Sequence, residues 1–249
     1  MEKQFERLGL KATRVSATEP DEIDDATQER HCDTNAPFML SPPQLGCALS
    51  HTKVWQQAFL KSAERVVVFE DDVVLSEALP EFLDSLPTTP IDIIKIESPP
   101  WPLLVDTSQP RIAANGIGLR EFRSTGWGSA GYIITRSAAE RLQASSKLFD
   151  LPIDSTLFCP LELPASSLKL VQSDPALCIQ LKALEARNNA HQEVVLAENA
   201  TQSDITFFIH STSWRGHLNW GMRQLRWGLI KAFDSVTKTN LRRRLIPFR

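Results

Sequence analysis

Glu70-Asp71-Asp72 carries the clearest chemistry in this sequence, directly after the apolar run Val66-Val67-Val68-Phe69. Three adjacent carboxylates repel one another and must be hydrated, paired or bound to a cation. In α/β sheets the carboxyl ends of strands are where ligands bind. Asp71 and Asp72 offer the hard oxygen donors that Mg2+ and Mn2+ prefer, and such ions share their shell with substrate phosphate. The economical reading is a site for Mn2+ or Mg2+ that holds the diphosphate of a nucleotide-sugar and stabilises charge on that leaving group. The plain alternative is a solvated acidic turn between Phe69 and Val73.

Other residues compete for roles beside it. Asp154 follows Leu151-Pro152-Ile153. By default it caps the next turn; otherwise it is the base that deprotonates an acceptor hydroxyl. Glu97 closes the apolar segment Asp92-Ile93-Ile94-Lys95-Ile96 and competes for the same role. His51 shares a helix face with Cys47, four residues earlier. On residue type alone it reads as a satisfied core histidine. His210 follows Ile205-Thr206-Phe207-Phe208-Ile209, as a late metal ligand or a strand-end residue. Trp214, His217 and Trp220 are either a sugar-stacking wall or core.

The elements that must hold these residues alternate between helix and strand. Met1 to Leu10 reads as a short amphipathic helix, and Asp21 to Pro37 as a polar loop. Ser41-Pro42-Pro43-Gln44 is a helix start: Ser41 caps, Pro42 takes the first position and Gln44 reaches back. That helix runs to about Lys61. Val66–Phe69 reads as a strand covered on both faces, Pro80–Leu86 as a short helix and Asp92–Ile96 as the next strand. Pro99, Pro100 and Pro102 force a loop. The small-residue segment Gly126–Gly131 leads into a strand at Tyr132–Thr135, and Ser137 with Glu140 forms a second capping box. Leu168–Val171 is a further strand. This pattern predicts an α/β fold with a largely parallel sheet.

A chain of 249 residues with 42% apolar composition buries a substantial core. Four widely spaced cysteines contain no C-x-x-C pair, which argues against a zinc knuckle and for reduced thiols in a cytosolic protein. The polar first twenty residues do not read as a signal peptide, and no apolar run suits a membrane span. The net charge of −3 hides an asymmetry. Residues 223–249 hold eight Lys/Arg and one acid, a net of +7, whereas residues 1–222 carry a net of −10. The division adopted is a catalytic-type domain over 1–222 and a basic amphipathic segment over 223–249. That segment reads first as a solvated helix with a frayed tail, and second as a peripheral contact with the anionic inner face of the cytoplasmic membrane. Nucleic acid is a poorer partner, because the rest of the chain repels phosphate.

Gln44-Leu45-Gly46-Cys47-Ala48-Leu49-Ser50-His51, followed by Trp55, resembles the G-C-x-x-S-H segment of glycosyltransferase family 25. This is the bacterial lipopolysaccharide and lipooligosaccharide biosynthesis group, related to collagen galactosyltransferases. Val68–Val73 is similar to its E-D-D segment, Gly128–Thr135 to its G-x-x-A-Y-I-I-S segment, Pro152-Ile153-Asp154 to its P-V-D element, and Asp174–Gln180 to its P-x-x-x-Q element. The matches come in family order over about residues 40–180.

The resemblance implies a GT-A-like (Rossmann-like) fold. It implies an inverting, metal-dependent transfer of a sugar, often galactose, from a UDP-sugar to a glycan or lipid-linked glycan. The matched segments imply substrate-binding roles for His51, Ser50, Glu70, Gly131, Tyr132 and Gln180, with Asp71 and Asp72 at the metal and Asp154 as the base; Glu97 as a competing base and His210 as a further metal ligand stand on residue type and position alone. Family members usually open with a V-I-N-L strand that helps bind the nucleotide; Met1–Leu8 resembles the helix that follows it. The expected sheet therefore lacks its usual first strand and has an open position. Two other readings stand beside this one: a non-catalytic binding protein on the same fold, and a metal-dependent phosphohydrolase using Glu97 and His210.

Overall fold

The computed structural model of the protein describes residues 1–32, 38–108, 111–112, 116–188, 209–210, 214–237 and 240–249. Its helices are α1 (Glu2–Arg7), α2 (Asp25–His31), α3 (Pro42–Leu60), α4 (Leu79–Asp84), α5 (Arg136–Gln143), α6 (Ile153–Phe158), α7 (Leu181–Asn188) and α8 (Trp214–Thr237). Its strands are β1 (Phe38–Met39), β2 (Arg65–Phe69), β3 (Val73–Leu75), β4 (Ile93–Lys95), β5 (Leu103–Asp106), β6 (Arg111–Ile112), β7 (Gly118–Glu121), β8 (Gly131–Thr135), β9 (Leu170–Asp174), β10 (Cys178–Gln180), β11 (Ile209–His210) and β12 (Leu241–Arg244).

Six strands form the central sheet in the order β2-β8-β4-β9-β7-β6. Helices flank this mixed sheet, as the alternating pattern requires. The expectation of a largely parallel sheet is corrected: only β4 and β9 pair in parallel, and the other four contacts are antiparallel. Helical crossovers would have returned each strand in the same direction. Here no described helix lies between β4 and β8, and the chain turns back through the short strands β5 to β7. The strand directions nevertheless place the carboxyl ends of β2, β4 and β9 on one edge, beside the amino end of β8.

Side chains alternate across the sheet and feed a core on each face. Tyr132 and Ile134 of β8, Ile93 of β4 and Val68 of β2 join Trp55 and Phe59 of α3, Leu142 of α5 and Phe158 of α6. Ile133, Ile94 and Val171 point the other way, toward Leu79 and Phe82 around α4 and toward Leu75. β2 lies at the sheet's edge, and Val66 and Val67 are only half-buried. A strand covered on both faces was expected there. Gln4 of α1 fastens the neighbouring ribbon: its amide donates to Val73 O at 2.8 Å and accepts from Leu75 N at 2.8 Å.

The α3 start forms as its sequence dictates, with Ser41 and Gln44 making the reciprocal box. Two local expectations are corrected. Residues 25–31 are helical, not loop, because Asp24 caps them by accepting from Thr27 N at 2.8 Å. The cap of α5 is Thr135, which accepts from Ala138 N, rather than Ser137. The basic segment that begins at Arg223 starts inside α8. Its end is not frayed: β12 pairs with β5, and Ile246 is fully buried in the core.

Candidate active site

The edge where β2, β4 and β9 end gathers most of the chemistry. Glu70 leaves β2, Glu97 leaves β4, and the segment 126–130 enters β8 between them. Glu70 N donates to Ala130 O at 3.1 Å, and Ser129 Oγ donates to Glu70 Oε1 at 2.7 Å.

A polar relay runs from the core to Glu70. Trp55 Nε1 donates to the Tyr132 hydroxyl at 2.9 Å, and that hydroxyl meets His51 Nδ1 at 2.8 Å. His51 Nε2 faces Glu70 Oε1 at 3.5 Å. An ionised Glu70 calls for a proton on His51 Nε2, and in that neutral tautomer Nδ1 accepts from the tyrosine hydroxyl. Burial pushes the Glu70 carboxyl up, but the hydrogen bond and the charge of His51, then the Ser129 hydrogen bond and the charge of Lys95, outweigh it and lower the group from its usual value. Cys47 Sγ also lies in this cluster, with ligand atoms of Cys47, His51 and Glu70 all within 4.8 Å of one another. Burial and the charges of Glu70 and Asp154 push its thiol up to about 12.

A second network fixes the Gly128 loop. Lys95 is fully buried and donates to Glu97 Oε2 at 2.7 Å and to Gly128 O, with its ammonium 4.4 Å from the Phe158 ring centroid. Glu97 Oε2 also accepts from Ala130 N at 3.1 Å. Burial pushes Glu97 up to about 7 against the pull of Lys95. Gly128 sits at φ +87°, and a Cβ there would overlap the Glu97 carboxylate; both constraints select glycine. Asp154 holds the same loop from the opposite side, accepting from Gly128 N at 3.2 Å and from Ser155 N at 2.6 Å. Burial raises its pKa although both hydrogen bonds oppose the shift.

The acidic turn is the third part. Asp71 is exposed, whereas Asp72 is half-buried and meets Gln180 Nε2 at 3.4 Å. The antiparallel pairing of β3 with β10 sets Gln180 opposite Val73 and brings these two residues together. Asp72 Oδ1 is buried with no hydrogen-bond partner, as is Glu97 Oε1. Burial, then Glu70 and Asp71, raise the Asp72 carboxyl. These are hard carboxylate donors with an unused oxygen and excess negative charge, so the residues fit a divalent cation.

Several expected site residues are placed differently. Tyr132 is fully buried and acts through His51 instead of lining a binding surface. Gly131 belongs to packing, since a Cβ there would overlap Cys178 Sγ. Ser50 Oγ is engaged internally, accepting from Thr18 N at 2.8 Å and donating to Gly46 O at 2.7 Å. Glu97, 1% exposed, holds the loop rather than facing an acceptor. His210 pairs through its backbone with Phe38. Its side chain, and those of Trp214, His217 and Trp220, lie outside the described residues. Lys95 was missed, though a lysine within Ile93-Ile94-Lys95-Ile96 marks a buried charge, and Glu97 falls on the same strand face. Ser129 carried no such signal.

Residues 1–98 match glycosyltransferase family 25, described as an LPS biosynthesis protein. The chain is similar to the lacto-N-neotetraose biosynthesis glycosyltransferase LgtB of Neisseria meningitidis serogroup B. The two are 30% identical over 189 residues, covering 71% of this chain and 68% of that protein. It is also similar to two proteins of Haemophilus influenzae. One, named a putative glycosyltransferase, is 26% identical over 183 residues, covering 72% of this chain and 64% of the relative. The other, lipooligosaccharide biosynthesis protein lex-1, is 29% identical over 153 residues, covering 57% and 50%. A mammalian relative named as probably inactive matches over 47% of this chain. The chain belongs to glycosyltransferase family 25, and it spans between half and about two thirds of the length of these bacterial relatives.

Proposed function

We propose that the protein is a metal-dependent hexosyltransferase on a GT-A-like variant of the mixed α/β fold. It transfers a sugar, galactose by family resemblance, from a UDP-sugar to a lipopolysaccharide or lipooligosaccharide glycan with inversion. The observation that carries this reading is the convergence of the family segments on one sheet edge, where Asp72 keeps a buried, unpartnered oxygen.

Asp71 and Asp72 are the residues that would hold Mn2+ or Mg2+, and such an ion supplies charge stabilisation to a leaving diphosphate. Gln180 orients Asp72 for that task. Asp154 is the base: it is more open than Glu97, its oxygens are aimed by two backbone N–H groups, and burial raises its proton affinity. In the transfer, the acceptor hydroxyl oxygen bonds to the anomeric carbon as the bond to the diphosphate breaks. The hydroxyl proton passes to Asp154.

The test is turnover of UDP-sugars with Mn2+ or Mg2+ and a lipooligosaccharide acceptor. Asp154→Asn is expected to lose about 10²–10⁴-fold in kcat. Unchanged turnover in Asp71→Ala and Asp72→Ala would remove the metal role. A non-catalytic reading is favoured by the match to a relative named as inactive; UDP binding without transfer to any acceptor would establish it.

A further inference from the structure

Helix α8 holds the body by its polar side and turns an apolar stripe to solvent. Arg223 Nε and Trp227 Nε1 both donate to Glu162 Oε1, and the Arg223 guanidinium lies 4.8 Å from the Trp227 ring centroid. These anchors are four residues apart and share one face. Leu218, Met222, Leu225 and Leu229 recur at intervals of four, three and four residues, which places them in a single stripe roughly opposite that face. They are 58%, 62%, 60% and 65% exposed. Single exposed leucines need no explanation, but a contiguous stripe of them marks a surface that another phase or molecule covers.

Charge and size select the occupant. Within α8 the sequence carries four Lys/Arg (Arg215, Arg223, Arg226 and Lys231) and one acid (Asp234), and Arg226 is exposed. A second copy would bring the same positive charge to the contact. Four side chains also fall well short of the roughly 800 Å² per partner of a standard protein interface. An anionic lipid surface meets both features, because it attracts the cations and accepts a narrow apolar stripe at shallow depth. Among the described residues no helix is long and apolar enough to cross a membrane, so α8 would lie along the surface.

We propose that α8 docks the protein on an anionic bilayer, with Leu218, Met222, Leu225 and Leu229 entering the headgroup boundary. This surface is separate from the sheet-edge site and does not depend on the donor or the metal. The test is co-sedimentation of the full chain with phosphatidylcholine vesicles, with and without phosphatidylglycerol, at low and high salt. The expected result is binding to the anionic vesicles only, weakened by salt. A Met222→Gln/Leu225→Gln/Leu229→Gln chain should bind about tenfold or more weakly, Arg226→Glu should also bind more weakly, and Leu60→Gln, an exposed leucine at the end of α3, should bind as the unaltered chain does. Sedimentation velocity on the same samples tests for self-association. No binding, equal binding to neutral vesicles, or a dimer that the triple substitution dissolves would each overturn the proposal. If the triple variant loses its circular dichroism, the vesicle, salt and Arg226→Glu arms still decide.

Discussion

His51 owes its place to a tyrosine that never meets solvent. Removing the Tyr132 hydroxyl leaves Trp55 Nε1 and His51 Nδ1 without a buried partner. Tyr132→Phe is therefore expected to cost about 1–3 kcal/mol in denaturant unfolding, and to lower turnover by freeing the ring that faces Glu70. Glu97→Gln is expected to cost about 1–3 kcal/mol, because an amide replaces the carboxyl that accepts from the buried Lys95 Nζ and from Ala130 N. Glu97 also sets a pH dependence. Its carboxyl is lifted from 4.5 to about 7, so its contribution to stability is fully present below about 4.5 and lost as pH rises through about 7. Unfolding curves from pH 4 to 8 should show this fall in the unaltered chain and lack it in Glu97→Gln. At this scale the sequence showed carboxylates at strand ends and a histidine in the family segment. It did not show which were accessible, because the choice between Asp154 and Glu97 depends on the buried Lys95–Glu97 pair that only tertiary packing creates.

Elements were legible where local chemistry decides them. The Ser41 box, the β-branched runs at β2, β4 and β8 and the acidic turn all follow from capping, branching and spacing. Strand direction was not legible, because it depends on how the chain returns between strands and not on any residue's propensity. The same pairing gives Gly131 its meaning: it stands opposite Phe69 on β2 and under Cys178 of β10. Gly131→Ala is expected to destabilise by about 1–3 kcal/mol through overpacking. A Cys178→Ala background should recover part of that loss, which a double-mutant cycle of unfolding free energies measures directly. Strict additivity of the two substitutions would contradict the contact.

For the whole molecule, the charge asymmetry was plain in the sequence, but the structural use of its last residues was not. Arg242, Arg243 and Arg244 look like a solvated tail, yet their backbone completes a ribbon with β5, and Ser98 Oγ donates to Ile246 O at 2.5 Å. Removing residues 241–249 is expected to lower the thermal midpoint sharply and broaden the transition, since it exposes β5 and the Ile246 site at once; differential scanning calorimetry checks this. We propose that the carboxylates of the turn after β2 grip a cation and, with it, a nucleotide diphosphate. Isothermal titration of UDP into the full chain, with and without Mn2+, tests it most directly. Binding is expected to require Mn2+ and to be lost in Asp72→Asn while the fold, read by circular dichroism, is kept. UDP affinity that is the same with and without Mn2+, or unchanged in Asp72→Asn, would contradict it.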